Sequence, residues 1–203
     1  YCSLRSRTFP GFTPGNVLLR REQYRWADNP ARGAEVVRSI LMGKIANSRA
    51  VLLRGARDTP NPESAQRLAD ASNLLAGSIQ SIRSAANVDQ MRGMEGDAAN
   101  SYFGVFNDLL IDAGDEFRFA GRSRRPPLDR VNALLSFLYA MLAHDLRAAC
   151  ETCGLDSAVG FLHVDRSGRP GLALDLTEEF RAFLPDRVAI SMINMGQVRA
   201  DGF

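Results

Sequence analysis

Glu95 is a carboxylate set among apolar residues. In the stretch Asn87 to Leu110, NVDQMRGMEGDAANSYFGVFNDLL, the side chains of Met91, Ala98, Tyr102, Val105 and Leu109 recur at helical spacing and define one apolar face. Glu95 falls inside that face. Desolvating a carboxylate is costly, so the position requires a cation, a metal or a hydrogen-bond donor opposite it. Gly93 and Gly96 flank it, each costing about 1 kcal/mol relative to Ala in a helix, which implies that another backbone or a ligand comes close. His163 stands just before a turn and near the D-x-x-E of Asp175 and Glu178, so a compact fold could bring His163 and Glu178 to the same centre as Glu95. One imidazole and two carboxylates suit Mn²⁺, Mg²⁺ or Fe²⁺ better than a structural zinc, which prefers more nitrogen or sulfur. Two plainer readings stand beside this one: Glu95 as a salt-bridged edge residue, and Asp175 with Glu178 as a capping box satisfied within its own helix.

Other chemistry-bearing groups are weaker candidates. Arg118, Arg122, Arg124, Arg125 and Arg130 are opposed only by Asp129 in a stretch with one glycine and two prolines, an exposed loop whose arginines are suited to tracking phosphates. Lys44 is the only lysine; it lies at the edge of an apolar stripe, from which it could reach a functional carboxylate or snorkel to water, and snorkelling is the expected behaviour. Cys150 and Cys153 form a C-x-x-C at the end of a helix. A redox pair belongs at a helix start and zinc needs two further ligands, so neither chemistry is expected. His144, followed by Asp145, reads as a surface or structural residue.

These groups must be positioned by helices. With 45% hydrophobic and 24% charged residues over 203 positions, the chain is an ordinary globular one with a single substantial core. No apolar run approaches the roughly 18 residues of a membrane span and no secretory pattern opens the chain, so no membrane partner is expected. Three cysteines do not make a disulfide framework, and a reduced, cytoplasmic setting follows. Residues 1–16 carry Pro10, Gly11, Pro14 and Gly15 and read as a linker. Beyond the undecided basic segment Val17 to Ala27, Asn29-Pro30 opens a helix to Arg54 that Gly55 closes, and Asn61-Pro62 opens a second. The Glu95 helix follows, starting on an Asn87/Gln90 capping box. Leu128 to Ala149 forms a strong helix with a second, more polar stripe of Asn132, Ser136, Tyr139 and Ala143. Val159, Phe161 and His163 alternate as in a short extended segment; helices from Asp175 to Phe183 and Pro185 to Val198 finish the chain. The expectation is a mainly α fold of six or seven helices with one short extended connection.

Taken in order, RGMEGDAANSYF (92–103), GRSRRPPLDRVNALLSFLYAML (121–142), GLDSAVGFLH (154–163) and LALDLTEEFR (172–181) resemble the CRISPR-associated endonuclease and integrase of spacer acquisition, the CRISPR-associated protein one family. NVLLRREQYR and GKIANSRAVLLR are similar to that family's helical-domain entry, so the resemblance runs from Asn16 onward. It implies a helical catalytic domain over 17–203, with residues 1–16 the remnant of a small N-terminal β domain that mediates dimer formation. It also implies an Mg²⁺ or Mn²⁺ ion held by Glu95, His163 and Glu178, with Asp175 as a neighbouring acid that caps and supports at once. The activity it implies is metal-assisted phosphoryl transfer that inserts captured double-stranded DNA into a CRISPR repeat. Arg92, Arg122, Arg124, Arg125, Arg166 and Arg169 would bind phosphates. The family's partners would be a second copy of the chain, as a homodimer, and the small ferredoxin-like CRISPR-associated protein two. The contrasting possibility is a non-catalytic helical module that holds DNA or a partner without assembling an active dimer.

Overall fold

The computed structural model describes residues 16–111 and 113–202. The expected linker over 1–15, and Cys2 with it, lies outside them. Seven α-helices follow one another: α1 (Val17–Ala27), α2 (Pro30–Asp58), α3 (Pro62–Ser84), α4 (Val88–Gly104), α5 (Arg130–Thr152), α6 (Gly171–Phe180) and α7 (Arg187–Asn194). Among the described residues there is no strand, and the mainly α reading holds.

Local chemistry starts most of these helices. Asn16, Asn29, Asn61, Asn87 and Asp129 each stand at an N-cap and accept backbone N–H groups from the first turn, and Pro30 and Pro62 occupy the position where a missing N–H costs nothing. Gln90 accepts from the N–H of Ala86 at 3.0 Å while its own N–H bonds Asn87 at 2.9 Å, closing a reciprocal cap at the start of α4. Gly154, at φ 82°, ends α5 in the left-handed region.

The long helix α2 is the hub, packed against α1, α3, α4 and α6. Its Val37, Leu41, Ile45 and Leu52 share one core with Leu68, Leu75 and Ile82 of α3, Met91, Ala98 and Tyr102 of α4, and Val131 and Leu135 of α5, all buried. A 3-10 turn at Phe106–Leu109 brings Phe106 to Phe119, ring centroids 5.0 Å apart, closing the core below α4.

Gly55 does not close α2, which continues to Asp58; a Cβ there would lie 2.2 Å from Leu109 Cδ2, so the glycine admits the 3-10 turn against the helix. Gly93 and Gly96 admit no other backbone, since a Cβ at either would meet nothing within 4 Å. The last helix, expected over Pro185 to Val198, is α7 at Arg187–Asn194, and it runs on from α6 instead of starting at the proline. Pro185 has no N–H, so the carbonyl of Arg181 takes the N–H of Asp186 at 3.0 Å instead, and a π-helical turn at Ala182–Asp186 joins α6 to α7. Contrary to the reading of the sequence, α5 is long and apolar enough to cross a membrane by length and composition. One of its faces is Val131, Leu134, Leu135 and Leu142 in the core; Phe137 and Met141 lie on the other, exposed.

Candidate catalytic centre

The sequence left Lys44 to water, and the fold places it at the middle of the centre. From α2 its ammonium lies 2.6 Å from Glu178 Oε2 of α6 and also hydrogen-bonds Glu95 Oε1 of α4. The lysine side chain is only 13% exposed, that of Glu178 9% and that of Glu95 25%. Snorkelling loses because two carboxylates, neither with enough water to stabilise it alone, converge on this one cation. Burial pushes the Glu178 carboxyl upward; Lys44 and Arg181, with a smaller contribution from His163, outweigh it and hold Glu178 below its ordinary value. Arg181 completes the clamp from one turn onward, 2.9 Å from Glu178 Oε1.

Asp175 does not cap a helix. It lies in the middle of α6, fully buried, and accepts the backbone N–H groups of Phe161 at 2.6 Å, Leu162 at 2.9 Å and His163 at 3.0 Å. Its Oδ1 is also 2.6 Å from His163 Nδ1. This is why the expected extended segment around Phe161 is absent: its N–H groups go to a carboxylate, not to a neighbouring strand. The start of α6 is satisfied in turn by the same loop, through Leu172 N–H to the Ser157 carbonyl at 3.0 Å and Gly171 N–H to that of Ala158 at 3.1 Å. The two backbones can approach because both partners are glycines. A Cβ on Gly160 would stand 2.7 Å from the Gly171 carbonyl carbon and 2.8 Å from Asp175 Oδ2.

His163 is therefore held by its own backbone and by one ring nitrogen. Asp175 already accepts three N–H groups and takes Nδ1–H as a fourth, so in the neutral ring the lone pair is on Nε2. Arg92 ties the same loop to α4, donating to the Leu162 carbonyl while pairing with Asp89 at 2.7 Å. From the other side Gln23 of α1 donates to the carbonyls of Asp156 at 2.8 Å and Val159 at 2.9 Å. Glu95, His163 and Glu178 thus stand on adjoining elements. Among the described residues, however, no three His, Cys, Asp or Glu side chains are close enough to share an ion, and the cation between the two glutamates is Lys44. The donor set, carboxylate oxygens with one imidazole nitrogen, fits a hard divalent ion, and the lysine charge already occupies the position between the carboxylates where such a charge is stabilised.

The arginines divide. Arg124, Arg125 and Arg166 are exposed, and Arg169 is partly so. Arg124 lines a small cavity of about 40 Å³ with Lys44, Glu95, Tyr139 and Arg181. Arg122, expected on the phosphate-tracking surface, is half-buried: it donates to the Ser123 carbonyl at 2.5 Å and Asn132 Oδ1 at 2.7 Å and stacks on Tyr139. Arg92 is similarly committed to the His163 loop. His144 is exposed, and burial pushes the Cys150 thiol upward, away from the thiolate that redox chemistry needs.

One charged group had no sign in the sequence. Asp186, in the π-turn, is buried, and its two oxygens accept from Tyr102 at 2.9 Å and Tyr139 at 2.6 Å. Burial raises its carboxyl to about 6 from 3.8, against the pull of the two tyrosine hydroxyls, Arg181 and Arg122. Between those two values the folded chain binds more protons at this site than the unfolded chain, so its contribution to stability falls as pH rises from about 4 to about 6 and is flat above. The Asp186→Asn chain is expected to lack this descent. Urea unfolding at pH 4.5 and pH 7 measures it, and equal pH slopes for the two proteins would refute the assignment.

Fold and centre together define an all-helical domain with a lysine-bridged pair of glutamates beside an oriented histidine. Residues 3–203 match the family described as CRISPR associated protein Cas1. The chain is 51% identical over 193 residues to CRISPR-associated endonuclease Cas1 1 of Chlorobaculum tepidum, covering 95% of this chain and 56% of the relative. It is 53% identical over 197 residues to CRISPR-associated endonuclease Cas1 2 of Rhodospirillum rubrum, covering 95% and 56%. Among solved structures it superposes on a chain of a Cas6-RT-Cas1–Cas2 complex with a TM-score of 0.79 at 28% identity, over 94% of this chain and 20% of that one. The chain belongs to the Cas1 family, and it spans a little over half the length of these two relatives.

Proposed function

We propose that residues 17–203 form the catalytic domain of a divalent-metal-dependent DNA endonuclease and integrase that inserts captured DNA fragments into a CRISPR array. The observation that carries this reading is the convergence of Glu95 and Glu178 on one cation, next to a histidine whose Nε2 is left free by Asp175. Relatives named as endonucleases, and the Cas1–Cas2 complex among the structural neighbours, support it.

In this reading the oxygens of Glu95 and Glu178 and the Nε2 of His163 hold Mg²⁺ or Mn²⁺. A bound divalent ion there supplies Lewis-acid polarisation of the phosphoryl oxygen and stabilises the developing negative charge. Asp175 fixes the imidazole through its Nδ1, and Arg181 keeps Glu178 in place. Lys44, now bonded to both carboxylates, would supply a single-point cationic donor at the edge of the same site. The 3′ hydroxyl of a captured fragment, or water in cleavage, would attack the phosphorus of the phosphodiester and give up its proton to solvent; as the new P–O bond forms the P–O3′ bond breaks, and the displaced 3′ oxygen takes up a proton and leaves as a hydroxyl. Arg124, Arg125, Arg166 and Arg169 hold flanking phosphates, positioning DNA with little sequence readout, while Arg92 braces the His163 loop and Arg122 the Tyr139 ring. The whole protein's partners in this reading are double-stranded DNA, a second copy of the chain and the small CRISPR-associated protein two. A helical module that only holds DNA has one observation in its favour, the lysine already seated between the carboxylates.

Incubating the purified chain with branched double-stranded DNA in Mn²⁺ and in EDTA separates the two. The catalytic reading expects strand transfer or cleavage in Mn²⁺ alone; cleavage-free binding in both would reject it. For four arginine–phosphate contacts, log affinity should fall with log salt at a slope of about −3.6, and a flat dependence would remove the arginine surface.

A further inference from the structure

Asp186 bonds two tyrosines and not the groups assigned to the ion, although it lines the same small cavity as Glu95, and a continuous set of contacts joins the two. Asp186 Oδ1 accepts from the Tyr139 hydroxyl at 2.6 Å, and Oδ2 from Tyr102 at 2.9 Å. The Tyr139 ring is flanked by two guanidinium groups, that of Arg122 at 5.1 Å and that of Arg181 at 5.0 Å from its centroid. Arg181 in turn meets Glu178 Oε1 at 2.9 Å, and its buried Nε has no hydrogen-bond partner. A guanidinium so placed is oriented by one carboxylate and by the ring it stacks on; if the ring moves, only the carboxylate remains to orient it.

The backbone supports the same conclusion. The π-turn places one more residue in the turn than α-helical geometry would, and this added rotation directs Asp186 inward onto the tyrosines. A π-turn is a poorer helix than the α-helix it replaces, and a buried carboxylate is costly, so both are retained against local preference.

We propose that Asp186 is a positioning residue of the catalytic centre: it fixes Tyr139, Tyr139 fixes the stacked Arg181, and Arg181 holds the Glu178 carboxylate in the orientation that receives the ion. This rests on the function proposed above for Glu178. Asp186 touches no reacting atom; it acts through two intermediaries, and all three line the cavity next to Lys44 and Glu95. Arg122, the other guanidinium against the ring, is the fixed stop, being hydrogen-bonded to Asn132 and Ser123.

Asp186→Asn keeps the shape and removes the charge, and Tyr139→Phe keeps the ring and removes the hydroxyl. Each is expected to slow single-turnover strand transfer in Mn²⁺ by about tenfold to hundredfold, with DNA affinity changed less than about twofold, since neither residue reaches the DNA surface. The double variant should be no slower than the slower single one, because the two changes interrupt the same path. A second readout does not need activity. The Arg181 Nε–H resonance in ¹⁵N spectra, assigned by its loss in Arg181→Lys, should exchange slowly with water in the parent chain and at least tenfold faster in either variant. Rates that fall only in proportion to the unfolded fraction, multiplicative effects in the double variant, or unchanged Arg181 exchange would each overturn the proposal. Should Asp186→Asn fail to fold, Tyr139→Phe carries both readouts. Should the parent chain show no divalent-dependent activity, the proposed function fails on its own, and the exchange measurement still decides whether Asp186 governs Arg181.

Discussion

A chain carrying Glu95→Ala together with His163→Ala is expected to lose divalent-dependent strand transfer and cleavage by about 10³-fold or more while keeping its fold. The loss follows from removing two of the three groups assigned to the ion, and with them the charge stabilisation that phosphoryl transfer requires. The fold survives because neither removal strands a partner. Without Glu95, Lys44 retains Glu178 at 2.6 Å, and without the imidazole, Asp175 retains three backbone N–H groups. Both side chains are also partly exposed, Glu95 at 25% and His163 at 21%, so truncation leaves no sealed cavity. Circular dichroism checks the fold and a strand-transfer gel checks the chemistry. Undiminished activity in the purified double variant would place the chemistry elsewhere in the molecule.

What could be read from the residues was local. Asn29-Pro30, Asn61-Pro62 and the Asn87/Gln90 pair start helices by bonds that span a few residues, and the sequence shows both members of each bond. The apolar stripe of α4 likewise marked Glu95 as out of place before any fold was known. The partner it needed was not legible. Lys44 is separated from Glu95 by 51 residues and from Glu178 by 134, and a lysine at the edge of a stripe looks the same in sequence whether it reaches water or a carboxylate. Asp175 misled for a related reason: D-x-x-E is the spacing of a capping box, whereas the donors it satisfies belong to Phe161, Leu162 and His163, brought in only by the close approach of Gly160 and Gly171. Asp186 lies in a turn that breaks the 3.6-residue period on which face assignment depends, so periodicity could not place it inward. The family resemblance supplied Glu95, His163 and Glu178 as a set; the lysine between the glutamates and the tyrosine–arginine path behind them came only from the packing of α2, α5 and the π-turn.

Replacing that lysine should have the largest effect on stability. Lys44→Met keeps a good helix former and most of the aliphatic stem, so α2 itself is little changed. What disappears is the charge shared by two carboxylates, one of them 9% and the other 25% exposed, leaving Glu95 without a cation and Glu178 with Arg181 alone. Breaking a buried ion pair from one side costs about 3 kcal/mol, which for a domain of this size lowers the melting temperature by roughly 6–12 °C. That fall is expected in EDTA. Mn²⁺ at millimolar concentration should then raise the melting temperature more in the variant than in the parent chain, because the two carboxylates no longer have a tethered ammonium competing with the ion. The two halves of the measurement test different things. Equal melting temperatures in EDTA would mean that Lys44 does not neutralise the pair. A fall that Mn²⁺ does not reverse would mean that Glu95 and Glu178 need a cation there but cannot accept a divalent one, and the assignment of the ion to these residues would fail with it.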